Sequence, residues 1–317
     1  MLPRDVEGML VTGLGISMLR DASAMVRMQK DMHNQGYAAG VAAAMAAQED
    51  RTPRKIDVKR LQRHLVEIGN LPESVLTDAD SFPLPASEVR QAVADFGDSA
   101  ASRKKRCKAL AIILSHGEAA RPRLQEAHSA ATGDSRLAYA KVLAFLGEEA
   151  VSQELLDALD NVDGWDAKIL QGRMAEYAHL PTPVDALILG VGYSGSRAGL
   201  PGILAWLRRL DADVTLSHHR AVALALEQLQ ASAAAEPLAR LLEKPGMRGH
   251  VMTELEPLYD AKRDRRRRVG PLREIVLARA LYRCGDYQGL GEEILREYRH
   301  DIRGLFARHA EAVLSGE

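Results

Sequence analysis

From about Ala100 to its end the chain repeats one pattern: an Ala/Leu-rich segment, a Gly or polar break, then a second segment with Leu at i, i+3 or i+4. The first two pairs read Lys108–Leu114 with Arg123–His128 and Leu137–Leu146 with Ser152–Leu159. Val184–Gly190 with Leu200–Leu210, Ala221–Leu229 with Ala235–Leu242, and Arg273–Tyr282 with Tyr287–Arg299 follow. Gly147 breaks the second pair and Gly285-Asp286 the last. One pair alone buries a single face, so copies spaced roughly 30–45 residues apart gain stability by stacking. Aromatics are only 4% of the chain, so the stacked surfaces must be built from Ala and Leu, which lose little side-chain freedom in a helix. The expected fold class is mainly α, with a helical solenoid over residues 100–317.

The N-terminal third has a different texture. Met9–Thr12, bounded by Gly8 and Gly13, reads as a short buried strand, followed by Gly13-Leu-Gly-Ile-Ser17. A second apolar piece spans Ala24–Met28, and a helix of small residues runs over about Asn34–Gln48. Arg51–Lys55 reads as a linker. Asp57 then caps a helix over Val58–Gly69 whose apolar stripe is Val58, Leu61, Leu65 and Ile68. Gly69 and Asn70 stop it, and Leu71–Ala86 reads as loop. The expected division is 1–52, then 53–99 as a linker region with one helix, then the repeats of 100–317.

Composition removes several function classes. A formal net charge of −1 gives no general attraction to nucleic acid or anionic membranes. There is no run of about 18 apolar residues to span a bilayer, and the first residues do not read as a signal peptide. Two cysteines, Cys107 and Cys284, make no disulfide framework or metal-ligand spacing, and read as small core hydrophobes of a cytoplasmic protein. No metal site is expected. Neither a Gly-x-Ser-x-Gly, a His-Glu-x-x-His nor a Walker loop occurs, so hydrolase, zincin and NTPase readings lack support.

One segment carries a resemblance. Asp5-Val-Glu-Gly-Met-Leu-Val-Thr-Gly-Leu-Gly-Ile-Ser17, Ala24, Arg27-Met28 and Gly36-Tyr-Ala-Ala-Gly40 together resemble the closing segment of FAD-dependent oxidoreductases, which include xanthan-lyase-like flavoproteins. The resemblance extends to about residue 70 through Leu61–Pro72. It implies a partial FAD-binding segment, a strand plus an Ala-rich helix, ahead of HEAT-like repeats. It further implies that Gly13, Gly15, Ile16, Ser17, Arg27, Met28, Gly36, Ala38, Ala39 and Gly40 face the cofactor. In that reading the helix N-terminus sets its N–H groups and dipole against the flavin edge that becomes negative on reduction. The small residues let the backbone approach the ring, and Arg27, the candidate catalytic residue, adds a fixed charge. Three positions depart from the family pattern: Leu14 replaces an Arg, Arg20-Asp21 stand where a His is common, and Tyr37 replaces a Gln. The strand–Gly-x-Gly-x-x-Gly–helix unit that holds an FAD pyrophosphate does not precede this segment. The expectation is therefore the C-terminal portion of such an enzyme, inactive alone and not holding FAD tightly, with the FAD-binding half or another protein as partner. The alternative is a non-catalytic HEAT-like interaction scaffold.

Other motifs have plainer readings. Gly190-Val-Gly192-Tyr-Ser-Gly195 matches the dinucleotide fingerprint letter by letter but lies in a helical pattern, and its glycines are expected to turn one helix pair. His218-His219 are expected in the first turn of a helix capped by Ser217, with a structural role. The basic run Lys262–Arg268 reads as a solvated loop or an ion-paired surface between repeats, and Trp165 and Trp206 as core anchors.

Overall fold

The computed structural model describes residues 1–3, 5–16, 28–78, 82–166, 181–255 and 266–316, without the side chains of 266–268. The chain divides into two compact units, Met1–Leu84 and Pro85–Glu317. Among the described residues every regular element is helical, so the mainly α expectation holds.

In the first unit, α1 spans Gln29–Gln48 and α2 spans Val58–Glu67. The Asp57 side chain caps α2 by accepting from the Arg60 amide at 3.0 Å. Ala42, Met45 and Ala46 of α1 pack with Ile56, and Leu10, Val41 and Leu61 join them. A short 3-10 turn at Gly13–Gly15 lies ahead of α1. The strand expected at Met9–Thr12 is absent. A strand needs a neighbour for its alternating N–H and C=O groups, and this segment has one such bond, from the Val11 amide to the Met1 carbonyl at 2.9 Å. Within 71–86 a 3-10 turn, Glu73–Leu76, is held by Lys59 Nζ donating to the Val75 and Leu76 carbonyls at 3.2 Å.

The second unit starts with α3, Ala86–Gly97, ahead of the expected start of the repeats. Beyond it come α4 (Arg103–Ser115), α5 (Gly117–Ala130), α6 (Gly133–Phe145) and α7 (Ser152–Asp160). Then follow α8 (Pro183–Tyr193), α9 (Leu200–Arg208), α10 (Leu216–Gln228), α11 (Ala235–Leu242), α12 (Arg266–Arg283), α13 (Leu290–Tyr298) and α14 (Gly304–Ser315). The longer helices α6, α8, α10 and α12 pack side by side in that order. The short helices α7, α9, α11 and α13 pack against them, and α9 also meets α11.

One connection recurs four times between a longer helix and its short partner. A residue with left-handed backbone ends the first helix: Gly147 (φ 84), Gly195 (φ 79), Gln230 (φ 45) and Gly285 (φ 112). A 3-10 turn follows, at Glu149–Val151, Arg197–Gly199, Ser232–Ala234 and Tyr287–Gly289. The second helix then begins five residues after the left-handed one, at Ser152, Leu200, Ala235 and Leu290. In three copies the next amide closes back on the helix: Glu148 onto the Leu143 carbonyl, Ala231 onto Leu226 and Asp286 onto Leu281. This is the hydrogen bond that satisfies a helix end through a left-handed residue. Repetition of the stop sets each short helix against the longer helix it follows.

Candidate functional site

The residues marked for a cofactor fall on two pieces of the first unit. Gly13 has φ +63, and Gly15 has the Val11 Cγ1 within 3.1 Å of where a Cβ would stand. Ile16 terminates the same turn. Met28 is the residue ahead of α1 and is half exposed. Ser17 and Arg27 lie outside the described residues.

The remaining four lie inside α1. The helix starts at Gln29 rather than near Asn34, because nothing in Gln-Lys-Asp-Met-His-Asn breaks it and Asp31 suits its first turn. Gly36 to Gly40 therefore sit well past the N-terminus, where backbone N–H groups are already bonded within the helix. The free donors of α1 are at its first turn, Gln29–Asp31, since the Met32 amide already donates to the Met28 carbonyl. What Gly36 and Gly40 contribute is open surface. Both are exposed, and a Cβ at either would meet nothing within 4 Å. With Ala43, Ala44 and Ala47, also exposed, they form a stripe along one face of α1, while Ala39, Ala42, Met45 and Ala46 point into the core.

Beside this stripe stand two side chains that the sequence reading did not pair. Tyr37 Oη lies 3.1 Å from His64 Nε2, and the rings stack at 16° with centroids 6.1 Å apart. The contact joins α1 to α2 across 27 residues. The available signal was their position next to but off the apolar stripe of each helix; Tyr37 is half exposed and His64 more buried.

The second unit explains the other motifs. Gly190 and Gly192 are inside α8, not in a turn. A Cβ at Gly192 would collide with the Cα of Ala225 on α10, and one at Gly190 would stand 2.8 Å from Leu155 Cδ1 on α7. These glycines allow close helix packing, and only Gly195 makes the turn. His218 and His219 are buried at the start of α10, whose cap position is Thr215 rather than Ser217. His218 Nδ1 lies 2.6 Å from Asp185 Oδ1, its Nε2 lies 3.3 Å from the Asp166 carbonyl, and its ring stacks on Trp165 at 4.4 Å. His219 Nδ1 and Nε2 face the Thr215 and Asp211 carbonyls at 3.1 and 3.0 Å. Burial, opposed in part by those carbonyls, pulls the His219 pKa down to about 4. Among the described residues no group of His, Cys, Asp and Glu is arranged to hold a metal. Trp206 is buried as expected, edge-on to half-buried Trp165.

Cys284 is buried and its thiol is pushed up to about 11 by desolvation. Cys107 is exposed, against expectation. The core positions of α4 are Ala109 and Ile113, and two residues before Ala109 the helix turns its side chain to the opposite side. The basic run lies at 262–265, outside the described residues, and at 266–268, whose side chains are not described. No helix among the described residues is long and apolar enough to cross a membrane.

Residues 1–65 match the family model described as FAD dependent oxidoreductase. No curated protein and no solved structure matches the chain. The match supports an FAD-dependent oxidoreductase-related portion at the N-terminus and leaves the helices of the second unit without a comparison.

Proposed function

We propose that this chain is the C-terminal portion of an FAD-dependent oxidoreductase, in which the first unit supplies a flavin-facing helix and the second a HEAT-like helical-repeat domain. The observation that carries this reading is the family match over residues 1–65, coincident with a unit that leaves much of its apolar surface open. Met9, Leu14, Met28, Val58 and Ile68 are all about half exposed or more. Val58 and Ile68 are the two ends of the α2 stripe, whose middle, Leu65, is buried. A parent FAD-binding domain would cover such a face.

The described residues fit part of the cofactor. An open stripe at Gly36 and Gly40 suits a flat ring, with Ala38 and Ala39 behind it and Gly13, Gly15, Ile16 and Met28 on the preceding segment. Ser17 and Arg27 complete the proposed set. The described residues include no strand–glycine loop–helix unit for the pyrophosphate. Flavin, when bound, supplies two-electron chemistry; the chain's own residues place and shield its ring. We therefore expect inactivity in isolation and a partner that brings the nucleotide-binding half. Neither nucleic acid nor membrane enters this reading, and the proposed location is cytoplasmic.

A test follows from a proposed set that faces the flavin ring. Riboflavin, FMN and FAD should perturb the full chain weakly and with equal affinity, read by flavin fluorescence and absorbance. Spectra that ignore millimolar chain for all three flavins would overturn the flavin-facing role. The second reading, an interaction scaffold without catalysis, draws on the fourfold recurrence of the helix connection, which is how stacked repeats extend a surface.

A further inference from the structure

We propose that the second unit carries a binding site for an acidic side chain presented on an extended peptide, in the cleft between the end of α10 and the end of α12. The cleft encloses about 390 Å³ and is lined by Glu227, Gln228, Gln230 and Arg283, all polar. At about 30 Å³ per water it has room for roughly a dozen waters, more than a carboxylate alone displaces. The proposal concerns this unit alone and does not rest on the flavin-facing reading of the first.

The charge in the cleft selects the ligand. Glu227, only 8% exposed, accepts from Arg279 Nε at 2.9 Å and from Arg283 Nη1 at 3.1 Å, one carboxylate oxygen to each guanidinium. His309 on α14 feels the same three charges; burial and the two guanidiniums pull its pKa down, so its ring is neutral at neutral pH. Two arginines against one glutamate leave the cluster with a positive charge in excess. A guanidinium carries several N–H donors. Each of these two uses one on Glu227, and the others meet no acceptor among the described residues. Those of Arg279, 16% exposed, are poorly hydrated as well, whereas Arg283, 44% exposed, stands at the opening. A fork of N–H groups with one surplus charge is the complement of one carboxylate.

A peptide, rather than a free acid, follows from the two glutamines. Gln228 and Gln230 are exposed, and their carboxamides have no partner among the described residues. Each offers a donor and an acceptor, which match the carbonyl and N–H of an extended peptide. Gln230 also takes the left-handed position of its connection, φ 45, where the other three copies have Gly147, Gly195 and Gly285. A residue other than glycine is strained at such an angle. This copy alone keeps a side chain where glycine would serve the fold, and that side chain lines the cleft.

The experiment titrates the full chain, by calorimetry at low salt, with a blocked alanine pentapeptide carrying glutamate at its centre and with the same peptide carrying glutamine there. The wild-type chain should prefer the glutamate peptide by about tenfold or more, the worth of a charge-assisted hydrogen bond. Arg283→Gln, at a half-exposed position, should remove most of that preference. Gln230→Gly should weaken both peptides alike, by about three- to tenfold for one neutral hydrogen bond, without lowering the urea midpoint. Circular dichroism checks the helix content of each variant. Equal affinity of the wild-type chain for the two peptides, no binding of either at millimolar concentration, or a preference undiminished in Arg283→Gln overturns the proposal. Acetate that displaces the glutamate peptide at equal concentration, or Gln230→Gly that binds both peptides as the wild type does, overturns the peptide part and leaves a site for a small carboxylate.

Discussion

Replacing His218 by Ala tests whether the buried pair with Asp185 holds the start of α8 and α10 together. Both side chains are essentially inaccessible, at 1% and 0% exposure, and the contact is 2.6 Å. Asp185 also closes the N-terminal cap of α8: its Oδ2 accepts from the Thr182 amide at 2.9 Å while its own amide donates to Thr182 Oγ1 at 3.3 Å. Loss of the imidazole leaves Asp185 Oδ1 without a partner where water does not reach. Leaving a buried hydrogen-bonding atom without its partner costs about 1–3 kcal/mol. The lost stack on Trp165 adds roughly 0.5–1.5 kcal/mol.

Urea unfolding followed by circular dichroism gives the global cost. Tryptophan fluorescence reports the locality, since the chain has only two tryptophans and they touch each other beside His218. Asp185→Ala should be comparably harmful, because it removes the pair and the carboxylate half of the cap. The double variant should cost less than the two single costs together, with a coupling of about 1–3 kcal/mol. If His218→Ala loses less than about 1 kcal/mol, or if the single costs simply add, the pair does not carry the junction and the reasoning fails.

Further outcomes are expected from the same structure. The folded pKa of His219, about 4, lies below its unfolded value of about 6.5, so the neutral ring favours the folded state. That contribution is complete above pH 6.5 and drains away as pH falls toward 4, at most about 3 kcal/mol. His219→Gln should flatten this part of the stability–pH curve, and an unchanged slope would count against it. Of the two thiols, exposed Cys107 should react with a disulfide reagent in the native chain, whereas Cys284 should react only on unfolding. Gly192→Val forces α8 away from Ala225 and should destabilise by about 1–3 kcal/mol or more in urea titrations. A fragment covering 85–317 should melt as a cooperative helical unit, since it forms one compact unit; a fragment without cooperative melting would refute the division.

The helices were legible because their signals are local. Ala/Leu runs with i, i+3 and i+4 spacing place α6 to α13, and Gly147 and Gly285 mark two of the breaks. The fourfold connection was only half visible, since Gln230 takes the left-handed position without being a glycine. Its neighbours enforce the conformation, and nothing in its residue type announces it. The strand at Met9–Thr12 failed for the opposite reason. A short apolar run between glycines describes what a strand could bury, whereas a strand exists only with a partner to pair with. The fingerprint-like Gly190–Gly195 run shows a third limit: letters alone do not distinguish a glycine that cradles a phosphate from one that admits a neighbouring helix. The Tyr37–His64 contact depends on how α1 crosses α2, a tertiary fact that their positions beside the two apolar stripes do not fix.

The mid-helix glycines bear most directly on function. A glycine inside a helix costs about 1 kcal/mol relative to Ala. At Gly192 the cost is offset by the close approach of α10, because any side chain there would strike the Ala225 backbone. Gly36 and Gly40 have no such neighbour: a methyl group at either position meets open space. Their cost is thus not recovered by any contact of the described residues, and Ala at both positions should stabilise α1. What the two glycines preserve is clearance above the helix, on the face bordered by Tyr37 and His64 and within the segment that matches the flavoprotein family. In the proposed reading that clearance is where the flavin ring lies. The same substitutions that stabilise α1 should therefore weaken flavin binding, and that opposition separates a binding face from an idle one.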